Sequence, residues 1–150
     1  MQEFESYLIQ EKMQETNHIE IYKGVHKENK TKVILKVLKS DFPTPSLVAK
    51  LRNEFSILSQ FDSPFITKVY ELTKQDNRQG IVMEDIDGIS LKEYRKTKFT
   101  LEEFFKIAIL MTKAVEETHR KNIIHKDINP SNFIYNPQTE NLKLIDFEIS

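Results

Sequence analysis

The sequence predicts an α+β fold, strand-rich in its first half and helix-rich in its second. Two pairs of apolar runs, each split by a short polar turn, lie on either side of one helical apolar period, and two capping signatures follow them. Ile19 to Val25 and Thr31 to Leu38 flank Lys27-Glu28-Asn29-Lys30 and read as a hairpin. Phe65 to Leu72 and Ile81 to Ile86 flank Gln75-Asp76-Asn77-Arg78-Gln79-Gly80 and read as a second. Between them Pro43 and Pro45 end the strand, Ser46 is the expected N-cap, and Leu47, Leu51, Phe55 and Leu58 recur at helical spacing. Ser90 with Glu93 predicts a short helix, and Thr100 with Glu103 a long one that carries Leu101, Phe104, Ala108, Met111 and Val115 on one face. Residues 84–88 connect the strand-rich part, 1–87, to the helix-rich part, 88–150.

Composition narrows the class. A chain of 150 residues, 39% hydrophobic and 30% charged, suits one globular domain or part of a larger one. The net charge of -1 creates no field for nucleic acid or an anionic membrane, so no nucleic-acid partner is expected. Cysteine is absent, which excludes disulfides and thiolate metal sites and agrees with a reducing compartment. The acidic start has no apolar core segment, and the longest apolar stretch elsewhere is broken by Lys106. No membrane segment is expected, and the chain reads as cytoplasmic.

Two charges sit where apolar side chains belong. At about 100° per residue, Glu54 falls about 20° from Leu47 and about 40° from Leu58, inside the apolar stripe of its helix. Lys36 lies in Val33-Ile34-Leu35-Lys36-Val37-Leu38, apolar on both alternating faces. A buried ion alone costs several kcal/mol, so the economical arrangement is for the two to meet.

The densest chemistry lies between residues 123 and 146. His125, Asp127 and Asn132 punctuate an apolar background, Phe133-Ile134-Tyr135 leads into a polar turn, and Leu142, Leu144 and Ile145 deliver Asp146. This reads as a loop followed by a short hairpin with two acids and an amide at its ends. One carboxylate can orient a hydroxyl while the amide and the second carboxylate hold a hard, oxygen-seeking cation. Phosphoryl transfer needs those parts.

His125-Lys126-Asp127 with Asn132, followed by Asp146-Phe147, resembles the catalytic-loop and metal-loop pair of eukaryotic-type protein kinases of the Ser/Thr type. The string His-Lys-Asp-Ile-Asn-Pro-Ser-Asn is most similar to the kinase domains that open large bacterial hybrid sensor kinases. The resemblance implies a protein-kinase-like fold: a complete N-lobe, an antiparallel sheet plus one helix, and the first part of a helical C-lobe. It implies ATP and Mg2+ as cofactors, and a catalytic set of Asp127, Lys36 and Glu54. Lys36, in a Val-Ile-Leu-Lys string, would lie on the phosphates with Glu54 holding it; Glu84 and Ile86 would meet the nucleotide, and Asn132 and Asp146 the metal. A protein substrate or downstream signalling domains would be the partners.

Four departures from the family pattern shape expectations. Aligning Ile21-Tyr22 with the end of the phosphate-covering loop puts Gln14, Thr16 and Ile19 at its three glycine positions, leaving Glu15-Thr16-Asn17-His18 to offer amide and hydroxyl donors. Asn129 stands where a lysine is usual, and Glu148 where the glycine after Asp-Phe is usual. The chain stops at Ser150, so it reads as a fragment without the peptide-substrate platform, inactive by itself, with the apolar face of its long helix partly exposed. The alternative is a non-catalytic pseudokinase-like nucleotide- or protein-binding module.

Overall fold

In the computed structural model, which describes residues 3–147, alternation along the strands sets the core. The chain falls into two compact units, residues 1–56 with 69–85, and residues 57–68 with 86–150.

The first unit is built on a six-stranded antiparallel sheet: β1 (Glu3–Phe4), β2 (Tyr7–Glu15), β3 (Ile19–His26), β4 (Lys32–Leu38), β5 (Val69–Gln75) and β6 (Arg78–Glu84), in the order β1-β2-β3-β4-β6-β5. The hairpin β3–β4 is the one expected, with Ile21 opposite Lys36 and Ile19 opposite Leu38. Val33, Leu35 and Val37 of β4 point to one face and join Phe4, Tyr7, Tyr22 and Val82 in a buried cluster. Each such side chain contributes roughly 1.5–3 kcal/mol by leaving water.

Two sequence expectations shift, and two strands form that the sequence did not suggest. The strand expected over 65–72 starts later, because Phe65–Thr67 bonds to another strand in the second unit, and the polar residues Lys74, Gln75, Arg78 and Gln79 are ladder members around a tight Asp76-Asn77 turn. Asp76 adopts φ 54°, a left-handed conformation that Asp tolerates. Strands β1 and β2 carry no clear alternation, since residues 10–15 are exposed throughout, and register shifts interrupt β2 after Ile9 and after Lys12. Tertiary bonds hold them instead. The Tyr7 hydroxyl donates to Glu71 at 2.6 Å, the Glu5 amide donates to the Gln75 side chain at 3.1 Å, and Thr73 donates to Glu5. These bonds join the two edges of the sheet, which curls around its core. The Glu71 carboxylate and burial together push the Tyr7 hydroxyl well above the usual tyrosine range.

Helix α1 (Pro45–Leu58) begins one residue before the expected cap. Thr44, not Ser46, accepts the Leu47 amide, at 3.4 Å, and Pro45 takes the first helical position, where its missing N–H costs nothing. Leu51 and Glu54 are buried, as their stripe requires.

The second unit holds α2 (Leu91–Tyr94), α3 (Leu101–Arg120) and a three-stranded sheet, β7 (Ile89–Ser90), β8 (Phe133–Asn136) and β9 (Asn141–Leu144). Ser90 caps α2, and Thr100 with Glu103 forms a reciprocal capping box on α3. The buried residues of α3 are Ile107, Ala114 and Thr118, not the stripe of large residues, and Leu101, Phe104, Phe105 and Ile109 are exposed. Small residues let the helix approach the sheet closely; summed hydrophobicity picks out the larger ones on the other arc. Gly88 allows a similar approach, since a Cβ there would stand 2.7 Å from the Ile134 side chain. Among the described residues no helix is long and apolar enough to cross a membrane.

Candidate functional site

Each unit presents one polar constellation. In the first, the antiparallel register of β4 turns Lys36 away from the buried cluster toward α1. Its Nζ donates to Glu54 Oε2 at 2.7 Å, with the two side chains only 9% and 1% exposed. At that burial neither charge survives cheaply without the other, so α1 and β4 are bound by mutual need as well as by apolar contact. Glu84 closes β6 opposite Val33. Lys23, two residues from Ile21 on the same face of β3, lies 3.4 Å from Asp85.

In the second unit, side chains wire the catalytic-loop string to the segment before Asp146. His125 is buried, and its Nδ1 accepts the Asp127 amide at 3.3 Å while Nε2 lies 2.8 Å from the Ile145 carbonyl. A carbonyl can only accept, so Nε2 carries the proton and the ring is neutral when both bonds are made. The Asn132 amide donates to the Asp127 carbonyl and to Asp127 Oδ2, both at 2.9 Å. The Ile145 amide donates to the Asn132 carbonyl at 2.9 Å, which links the two loops through backbone. Lys126 and Asp146 hold φ of 65° and 66°, costly for residues with a Cβ and sustained here by these surrounding bonds. Asp127 itself is exposed and Asp146 half-buried.

Two supports escaped the sequence. Phe147, fully buried, packs between Phe61 and His125, with ring centroids 5.6 Å and 4.6 Å away. Phe61 belongs to residues 57–68, whose backbone joins the second unit: the Leu144 amide donates to the Phe65 carbonyl at 2.8 Å and the Thr67 amide to the Leu144 carbonyl at 3.1 Å. Such pairing between segments about 80 residues apart leaves no local pattern. Asn136 reaches across to donate to the Ile86 carbonyl at 2.7 Å, anchoring the connector. Asn129, in place of the usual lysine, caps the 3-10 turn Pro130–Asn132 by accepting the Ser131 amide at 2.8 Å, and donates to the Asp127 carbonyl at 3.3 Å. Its role is local geometry; Glu148 lies outside the described residues.

Of the donors expected of the turn between β2 and β3, those of Thr16 and the His18 amide are turned inward. The Thr16 amide donates to the Ile19 carbonyl at 2.8 Å, and the Thr16 hydroxyl oxygen accepts the amides of Ile19 at 3.1 Å and His18 at 3.4 Å. Three amides of the turn are spent on the turn itself.

The Asn132 amide nitrogen is committed to Asp127, and an amide oxygen and a carboxylate, the groups that Asn132 and Asp146 carry, are ligand types that a hard cation such as Mg2+ favours.

Comparison with known proteins gives the family. The family model described as protein kinase domain matches residues 8–150. The serine/threonine-protein kinase PrkC of Bacillus subtilis is 31% identical over 121 residues, 79% of this chain and 18% of that protein. The probable serine/threonine-protein kinase CPE1738 of Clostridium perfringens is 30% identical over 133 residues, 87% of this chain and 19% of that protein. The hormonally up-regulated neu tumor-associated kinase homolog A of Xenopus laevis is 32% identical over 149 residues, 97% of this chain and 21% of that protein. The chain thus spans about a fifth of the length of these relatives. It belongs to the protein kinase domain family.

Proposed function

We propose that this chain is the nucleotide-binding and catalytic front part of a protein serine/threonine kinase domain, which in its full context transfers the γ-phosphoryl group of ATP to a protein hydroxyl. The observation that carries this reading is the wiring of Asp127 to Asn132 and of Asn132 to the segment before Asp146, which supports taking Asp127 as a base and Asn132 with Asp146 as oxygen ligands, positions up to 19 residues apart in sequence. Lys36, steadied by Glu54 as a positioning residue, would hold the nucleotide phosphates, and the main chain at Glu84 and Ile86 would meet the base. Asn132 and Asp146 would hold Mg2+, which when bound neutralises charge on the phosphates. Asp127 would orient the acceptor hydroxyl and take its proton as that oxygen bonds to the γ-phosphorus and the bond to the β–γ bridging oxygen breaks. Protein substrates and the downstream domains of a longer protein would be the partners.

A thermal-shift titration with Mg-ATP tests the reading. The parent should gain melting temperature, Lys36→Met should lose that gain, and Lys32→Met, on the exposed start of β4, should keep it. In Asp146→Asn the response to ATP should no longer depend on Mg2+. A parent that ignores Mg-ATP would sink the reading in favour of a protein-binding module without nucleotide.

A further inference from the structure

Glu20 is a buried charge that the proposed chemistry leaves unused. It is 7% exposed, on the face of β3 opposite to the one that Ile21 shares with Lys36. Three donors converge on its carboxylate: Lys12 of β2 at 2.7 Å, the Tyr22 hydroxyl at 2.8 Å, and the Arg78 guanidinium at the start of β6. Arg78 also donates through Nε to the Leu38 carbonyl at 3.1 Å. One carboxylate therefore joins β2, β3, β6 and the end of β4.

That hub lies beside the β2–β3 turn. Lys12 also pairs with Glu15 at 2.6 Å, Glu15 pairs with Lys39, and the Lys39 amide donates to the His18 carbonyl at 2.8 Å. Ile19 and Leu38 are two residues beyond the Ile21–Lys36 pair, a distance of about 7 Å along the strand. The turn thus follows the Lys36 backbone position by about two residues, near enough for its shape to bear on an anion held at the end of that side chain. It contains no glycine, and its Thr16, His18 and Ile19 amides are already bonded, so it cannot mould itself around a phosphate group. What it can contribute is a fixed shape.

We infer that Glu20 is a positioning residue for nucleotide phosphates, acting through the Lys12–Tyr22–Arg78 hub that sets the β2–β3 turn and the end of β4 next to Lys36. This role rests on the proposed nucleotide site. Charge-assisted bonds from three donors make a buried carboxylate a stiff junction. Simple electrostatics predicts the opposite sign: removing the carboxylate and releasing two cations makes the region more positive and should tighten an anion's binding.

Isothermal titration of Mg-ATP and of adenosine into the parent, Glu20→Gln and Arg78→Lys separates the two, with hydrogen exchange at the Thr16 and Ile19 amides read in parallel. Glu20→Gln should weaken Mg-ATP binding about tenfold while leaving adenosine unchanged, the size of a typical coupling through a shared network. The Thr16 and Ile19 amides should exchange faster. Arg78→Lys keeps the charge but not the fork to Leu38, and should lose affinity in the same direction by a smaller factor. Mg-ATP binding that is unchanged or tighter in Glu20→Gln, an equal loss for adenosine, or unchanged amide exchange would each overturn the role. Should Glu20→Gln fail to fold, Arg78→Lys carries the same readouts. A parent that binds no Mg-ATP overturns the nucleotide reading and this role with it, and the exchange rates then show separately whether the hub holds the turn.

Discussion

The β2–β3 turn and the loop from His125 to Asn132 are both short, polar and flanked by strands or helices, yet they use their side chains in opposite ways. Thr16 spends its hydroxyl on its own turn, bonding residues two and three positions away. The loop adds longer reaches to its local ones: the His125 imidazole meets the Ile145 carbonyl 20 residues later and the Asn132 carbonyl takes the Ile145 amide, while within the loop the Asn132 side chain holds the Asp127 carboxylate. A loop satisfied by itself presents shape alone. A loop satisfied by distant partners can hold an exposed carboxylate such as Asp127 in a set direction, because its backbone is fixed from outside.

The comparison breaks first where long-range partners carry charge. Glu54→Leu strands Lys36 in a buried site and should cost about 3–5 kcal/mol in chemical denaturation, without any nucleotide present. An unchanged denaturation midpoint would mean that the pair does not hold β4 to α1. His125→Phe keeps a ring against Phe147 but withdraws the imidazole from the Asp127 amide and the Ile145 carbonyl, and should cost about 2 kcal/mol. The exchange of the Asp127 amide should rise with it, and protection equal to the parent's would show that His125 packs rather than wires.

Smaller effects belong to the self-satisfied turn. Thr16→Ala should cost about 1 kcal/mol or less, and should leave the melting behaviour of Glu54→Leu additive with its own, since the two sites share no partner. Coupling between the variants beyond about 0.5 kcal/mol would contradict two sites without a shared partner. A further expectation, set apart from the turn, is a slope with pH. Burial alone would raise the Glu20 carboxyl, but bonds from Lys12, Tyr22 and Arg78 outweigh it and bring it down to about 2. The folded value lies below the ordinary one of 4.5, so its contribution is present above pH 4.5 and is lost as pH falls toward 2. Between those limits Glu20→Gln should flatten the fall in parental stability, and an equal slope in both proteins would place Glu20 outside the acid-sensitive set.

How far the chain could be read without its structure differs by element. The β3–β4 hairpin and α3 were legible because their apolar periods and caps are local, and Lys36 and Glu54 were legible because a charge inside an apolar stripe is a local contradiction with few physical solutions. His125, Asp127, Asn132 and Asp146 were legible as an ordered set. Strand β2 was not, since its outer half is exposed on both sides and its pairing is fixed by the partner strand and by Tyr7 on Glu71. The partly exposed apolar face of α3 was expected, but the residues it does bury were not legible: Ala114 and Thr118 are buried because the sheet comes close there, and closeness is not encoded in hydrophobicity.

By itself, then, the sequence determined the fold class, the family motifs and which segments alternate, because side-chain type and period are properties of neighbouring positions. The tertiary structure alone decided that Phe65–Thr67 joins β9, that Phe61 and His125 enclose Phe147, and that the β2–β3 turn spends its amides inward. Those outcomes depend on which distant backbone groups and rings come within bonding distance, and that is set by the packing of the whole unit rather than by any stretch of it.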